Sequence, residues 1–252
     1  MSLKSHTTIG PIESPPVTMI HAEGGVGKTT FAASMPRPYF FDCEKSSLRL
    51  NVSRCTPSSF VELYAALVAF LEEDHEYRTC VLDTLDWAEK LAIKRVFEQN
   101  DITSLDEISH GGAYVKLDGK ILQLYEILNA IHSKGIAICI LSHNIIKPYV
   151  NPTGRNYDKI MFKTQREGTG KLFSEWAEVV GYLHIPVIVS EDRKDMKGFA
   201  KKTTTTTLQK VVLSCAPNAA YEAKNKFGII SDINIPPENG WNELEKAIKG
   251  EI

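Results

Sequence analysis

The stretch Ala22-Glu23-Gly24-Gly25-Val26-Gly27-Lys28-Thr29-Thr30 decides how the rest of this 252-residue chain is read. The β-rich run Val17–His21 leads into it, and helical pattern follows from about Lys28 to Met35, where Pro36 and Pro38 stop the helix. Strand, glycine-rich turn and helix in that order form the context a phosphate-binding P-loop requires. Glycines let backbone N–H groups curl around the β- and γ-phosphates of a nucleotide, and the helix N-terminus adds partial positive charge. Lys28 supplies a mobile cation to those phosphates and Thr29 a hydroxyl for Mg²⁺. Glu23, Gly24, Gly25, Val26, Gly27 and Thr30 complete the cradle. Ala22 stands where the pattern usually has glycine, a common variant.

Outward from this loop, strands and helices alternate. Tyr39–Phe41 and Thr79–Leu82 read as buried strands, with Phe60–Leu71 as an amphipathic helix between them. Helical pattern covers Leu85–Phe97, Ser109–Tyr114 reads as a loop around Gly111-Gly112, a helix follows over Leu117–His132, and Ile136–Leu141 is a third apolar strand. Such alternation predicts an α/β fold, with a mostly parallel central sheet covered by helices on both faces. Past Ser142, residues 144–170 are polar and aperiodic, longer than a structural connection needs, and read as a functional loop. Val179–Val189 and Leu208–Ser214 read as a C-terminal antiparallel hairpin extension joined through Lys201–Thr207, and Trp241–Lys249 as a short helix. Trp176 and Glu178 fit packing at a helix–strand junction. The predicted organisation is a flexible segment 1–16 followed by one domain, 17–252.

Composition narrows the class. The chain is 43% hydrophobic and 24% charged, as globular domains are, and no stretch approaches the roughly 18 apolar residues of a membrane helix. The first sixteen residues have no apolar core, so no secretory signal is expected. Five scattered cysteines without a CxxC pair argue against a disulfide framework or a zinc site and fit a reducing cytoplasm. Net charge is −2, yet residues 144–171 carry +4 and 193–210 carry +5, leaving −11 on the remainder. Positive charge is concentrated in two segments.

Three further positions complete a site for phosphoryl chemistry. Thr79-Cys80-Val81-Leu82 delivers Asp83 at the carboxyl end of its strand, where an aspartate can hold Mg²⁺. The next residue is Thr84, not a glutamate, so a water-orienting carboxylate must come from elsewhere. Asp42-Cys43-Glu44 ends the strand Tyr39–Phe41 at the edge where open α/β sheets bind ligands, which makes Glu44 the candidate base, with Glu23 and Asp86 next in line. Ser142-His143-Asn144 ends the third strand at the same edge. His143 could there donate to the γ-phosphate, or satisfy a local carbonyl instead. The other six histidines show no ligand spacing.

MIHAEGGVGKTTFAASMPRPYFFDCEKSSLRL, TCVLDTLDWAEKL and IAICILSHN together resemble the RecA-like P-loop ATPase core. More narrowly, the chain looks like short phage nucleotide-binding proteins that consist of this core alone, some of them single-strand annealing recombinases. The resemblance covers about residues 17–230. It implies ATP and Mg²⁺ as cofactors, and it supports Glu44 through the similarity of Asp42-Cys43-Glu44 to a strand ending Asp-Ala-Glu. It places His143 where such proteins carry a polar sensor. Ala223-Lys224-Asn225-Lys226 is similar to a recurring Ala-Lys-x-basic stretch, which implies that Lys224 and Lys226 act in trans on a neighbouring subunit's ATP, or else are surface lysines. By this resemblance, a separate C-terminal domain like that of the full-length recombinase is not expected within these residues.

Lys147, Arg155, Lys159, Lys163, Arg166 and Lys171, interleaved with Tyr149, Tyr157 and Phe162, fit a surface that neutralises phosphates and stacks bases. They follow the sensor position, where the family places a DNA-binding loop, and Gly111, Gly112 and Tyr114 fall where its first loop would lie. The bland alternative is a pair of solvated basic loops. The expected protein is therefore a DNA-stimulated ATPase of a bacteriophage, homo-oligomeric, binding single-stranded DNA for annealing or strand exchange in the host cytoplasm. It could work beside a single-strand DNA-binding protein, and no membrane contact is expected. The competing reading is a nucleotide-dependent switch acting on a protein partner. A small-molecule kinase is weaker, because the segment lacks an arginine-rich lid.

Overall fold

The computed structural model describes Thr7, Gly10 and residues 14–191, 203–208 and 210–252. In chain order the first half comprises β1 (Val17–Ala22), α1 (Lys28–Ala33), β2 (Pro38–Asp42), β3 (Ser53–Cys55), α2 (Phe60–Glu72), β4 (Thr79–Asp83), α3 (Leu85–Asn100), α4 (Gly112–Ser133) and β5 (Ala137–Tyr149). The second half comprises β6 (Tyr157–Phe162), α5 (Glu167–Trp176), β7 (Val179–His184), β8 (Val187–Glu191), β9 (Thr203–Thr207), β10 (Val211–Ser214), β11 (Lys224–Asn225), β12 (Ile233–Ile235) and α6 (Gly240–Ile248). The main sheet runs β12-β10-β7-β1-β5-β4-β2-β3. From β7 to β3 the neighbours are parallel, while β10 is antiparallel to both β7 and β12.

Alternation along each strand divides the core between two faces. Val17, Met19, Phe41, Leu82, Ile138 and Ile140 pack under α2, α3, α4 and α5. Ile20, Phe40, Val81, Cys139 and Leu141 point the other way, onto α1 and α6. With both faces covered, open parallel sheets bind ligands at the carboxyl ends of their strands, and the fold brings β1, β2, β4 and β5 there together. Strand β5 lies between β1 and β4, so whatever it carries at this edge stands between the glycine-rich loop and Asp83.

Residues 144–170 differ from the expected loop. β5 runs on to Tyr149 and folds back as the antiparallel strand β6, with Tyr149 opposite Tyr157 and Lys147 opposite Lys159, and α5 follows. The turn is an Asx turn, in which Asn151 Oδ1 accepts from Thr153 N–H at 3.1 Å and its hydroxyl at 3.0 Å. β-branched and aromatic residues on either side of Asn151-Pro152-Thr153-Gly154 are a hairpin signal that the dispersed charges masked. Helix α4 also begins earlier than expected, at Gly112 after a short 3₁₀ turn, because its buried stripe reaches back to Ala113. The C-terminal extension is likewise rearranged. Pro186 separates β7 from β8, the threonine run is a strand paired with β8, and β10 pairs with β7. Most of the basic stretch 193–210 lies outside the described residues.

One buried carboxylate helps to fix the return end of the new hairpin to the body. Glu89 on α3 accepts from the Gln165 N–H at 2.5 Å, the Arg166 N–H at 3.1 Å and the Thr169 hydroxyl at 2.7 Å. It thereby caps α5 from another helix, where negative charge is favoured. Glu89→Ala leaves three donors without their acceptor and should cost about 2–4 kcal/mol. A lower Tm together with faster proteolytic cleavage within residues 145–165 is the expected result.

Candidate active site

Positive φ at Gly25 (83°) and Gly27 (113°) lets the chain between β1 and α1 curl into a tight loop. Lys28, only 6% exposed, reaches back over this loop and donates to the carbonyls of Ala22 at 3.1 Å and Glu23 at 3.0 Å. Burial lowers its pKa, and the nearby carboxylates of Glu44, Asp83 and Asp86 hold the charge against that effect. The ammonium fills the space where a phosphate would sit, with carbonyl partners that an anion can replace.

Opposite it stands Asp83. Its Oδ2 accepts from the Thr29 hydroxyl at 3.0 Å and from the Ser46 hydroxyl at 2.7 Å, while its buried Oδ1 has no hydrogen-bond partner among the described residues. Burial pushes its pKa up to about 6 even though both hydroxyls favour the anion. An unpartnered carboxylate oxygen beside two hydroxyls is an all-oxygen donor set suited to a hard divalent cation. Thr29, Asp83 and Ser46 therefore fit Mg²⁺. Among the described residues no cluster of three His, Cys, Asp or Glu side chains could hold a metal, so such an ion would depend on phosphate oxygens for the rest of its shell.

Ser46 was not singled out from the sequence. Asp42 places it, accepting from the N–H groups of Ser46 at 3.0 Å and Ser47 at 2.9 Å and from the Ser47 hydroxyl at 2.6 Å. The same turn swings Glu44 toward β5, where Oε1 lies 3.4 Å from His143 Nε2. On the other side of the ring, His143 Nδ1 lies 3.1 and 3.2 Å from the two carboxylate oxygens of Asp86. These contacts push His143 up to about 9, so it is an imidazolium at neutral pH. β5 does not end at this histidine, but its pairing with β1 does, at Ala22 opposite His143. Beside the loop, a cleft of about 220 Å³ is lined by Val26, Thr30, Phe31, Val211, Ile235 and Pro236, large enough for part of a nucleoside.

The family described as an AAA domain matches residues 14–227. The chain belongs to this family. Membership of this AAA-domain family implies nucleotide binding, and the matched residues include the glycine-rich loop. No curated protein matches it by sequence. Among solved structures it is similar to a RadB recombinase, at TM-score 0.45 and 13% identity, with 90% of each chain covered. No helix among the described residues is long and apolar enough to cross a membrane.

The remaining sequence candidates divide. The Lys224 ammonium donates to the carbonyls of Ser174 and Glu175 at the end of α5, which ties it within its own chain, whereas Lys226 is exposed. Lys159 pairs with Glu222 at 2.7 Å, Arg166 with Asp118 at 2.9 Å and Lys171 with Glu167 at 2.7 Å. Among the described residues Lys147, Arg155 and Lys163 form no ion pair. Tyr114 sits in the first turn of α4, bonded to Asp106 and covered by the Arg166 guanidinium at 5.0 Å.

Asp83→Asn removes a buried charge but keeps an acceptor for Thr29 and Ser46. The nucleotide-free Tm should stay level or rise, and the stabilisation that Mg²⁺ adds to bound ATP should vanish in a thermal-shift titration at pH 8.

Proposed function

We propose that this protein is a Mg²⁺-dependent ATPase whose nucleotide state governs binding of single-stranded DNA on the β5–β6 hairpin, in annealing or strand exchange. The observation that carries the enzymatic half is the buried pair of unspent charges, Lys28 over the loop and the unpartnered Asp83 oxygen facing Thr29 and Ser46. In this reading Lys28 leaves its two carbonyls for the β- and γ-phosphates. Thr29 and Asp83 hold the Mg²⁺, which when bound neutralises charge between those phosphates. Glu44 orients a water in line with the γ-phosphate, and His143 offers its Nε2–H to the departing phosphate.

The DNA half is supported by the hairpin's register. Residues directly opposite share a face, which puts Lys147, Lys159, Tyr149 and Tyr157 together, with the two tyrosine rings 5.0 Å apart. Arg155 at the turn and Lys163 at the base add charge without an ion pair among the described residues. Stacking rings flanked by cations suit unpaired bases and their phosphates. A homo-oligomer, with Lys226 reaching a neighbour's nucleotide, and a phage-encoded protein working in host cytoplasm beside a single-strand DNA-binding protein complete the proposal.

One observation favours the second reading, a switch with a protein partner. Ile146 and Val150 on the same hairpin are 64% and 76% exposed, an apolar edge that DNA does not need. ATP turnover measured with and without poly-dT, at low and moderate salt, separates the two. Stimulation that fades with salt supports the DNA reading, and turnover indifferent to poly-dT, with no binding at low salt, supports the partner. Lys28→Ala should abolish turnover in either case. Joint replacement of Lys147, Arg155 and Lys163 by Ala should lower the slope of log K against log salt by about 2, since each single-strand phosphate contact contributes about 0.7. Lys171→Ala, which opens only an ion pair within α5, should leave that slope unchanged.

A further inference from the structure

Asp86 is buried on the first turn of α3, three residues beyond the Mg²⁺ aspartate, and the hydrolysis scheme gives it no task. Its carboxylate nevertheless governs His143 twice. Both of its oxygens face the ring Nδ1, and Oδ1 also accepts the His143 backbone N–H at 3.3 Å. The Thr84 hydroxyl donates to the same Oδ1 at 2.7 Å and fixes the carboxylate in turn. Ring and main chain are thus held at the residue where β5 leaves the parallel sheet. Nε2 is left aimed at Glu44 and the phosphate end of the loop.

We propose that Asp86 is the positioning residue that holds His143 as a fixed cation between Glu44 and the phosphate loop, so that phosphoryl transfer depends on Asp86 through His143 alone. A histidine oriented by a carboxylate on one nitrogen presents the other with a defined direction and a full N–H donor.

The electrostatics agree with the geometry. Burial alone would push Asp86 up, but hydrogen bonds from His143 and Thr84 outweigh it and keep the carboxylate below its usual range. Three charged groups act on the imidazole: Asp86 from α3, Glu44 from the turn after β2 and Lys28 from α1, while Lys163 after β6 meets only the main chain, its N–H donating to the His143 carbonyl at 2.6 Å. Asp86 and Glu44 raise the ring's pKa and Lys28 lowers it. With a pKa raised to about 9, the cation persists below that pH and is lost as pH rises through it. Without the Asp86 charge the loss should begin at lower pH.

The inference rests on the ATPase reading and is tested on the full chain with Asp86→Asn, which keeps size and one acceptor oxygen. NMR titration of the His143 ring in nucleotide-free protein, assigned by its loss in His143→Gln, should show a lower pKa in Asp86→Asn. Its kcat should fall at least tenfold with KM changed less than threefold, and the alkaline limb of the rate profile should move down with the ring. In the His143→Gln background, Asp86→Asn should cost nothing more, as residues acting through one another are not additive. An unmoved ring pKa, or an equal further loss in that background, overturns the proposal. Wild-type protein that turns over no ATP, or a Lys28→Ala variant as active as wild type, overturns the ATPase reading instead. The NMR arm still reports on Asp86 and His143 in that event.

Discussion

Three ionisable groups, Lys28, Asp83 and Asp86, are buried at one edge of the sheet, and much of the surrounding architecture follows from that constraint. Burying a charge is costly unless something answers it. Lys28 is answered by two loop carbonyls, Asp86 by His143 and Thr84, and Asp83 by two hydroxyls at one oxygen only. The parallel sheet makes the arrangement possible. Helices cover both faces, so polar groups collect where strands end, and the order β1-β5-β4 sets His143 between Lys28 and Asp83. An all-apolar edge would avoid the cost of these buried charges.

The same edge links chemistry to the hairpin. Asp86 and Glu89 lie one turn apart on α3, the first holding His143 at the hairpin's outgoing base, the second holding residues 165–169 at its return. The helix that starts two residues after Asp83 therefore grips both ends of the β5–β6 excursion. A change in the position of His143 on nucleotide binding would be felt by the base of the hairpin without any intervening loop.

Much of this was legible in the residues, for physical reasons. Glycines followed by Lys-Thr after a strand have few other uses, and short apolar runs alternating with helical periodicity leave little choice but a parallel sheet. The expected α/β class, the strands that lead to Asp83 and Glu44, and the helices α2 and α3 all have counterparts in the structure. What stayed hidden depends on contacts between distant parts of the chain. Ser46 joins Asp83 only because Asp42 folds the intervening turn, and nothing in its own neighbourhood marks it. Lys159, Arg166 and Lys171 read as a basic surface, whereas Glu222, Asp118 and Glu167 neutralise them in the folded protein. The hairpin was missed because its lysines and asparagines obscured a period-two pattern that Ile145, Lys147 and Tyr149 carry on one face.

The most direct measurement is a crystal structure with a non-hydrolysable ATP analogue and Mg²⁺. The account predicts Lys28 Nζ on the β- and γ-phosphates and away from the Ala22 and Glu23 carbonyls. It also predicts Asp83 Oδ1 engaged with the metal shell, and His143 still held by Asp86 while its Nε2 faces the γ-phosphate. A triphosphate bound elsewhere, or one seated on the loop with Asp83 Oδ1 still unpartnered, would contradict it.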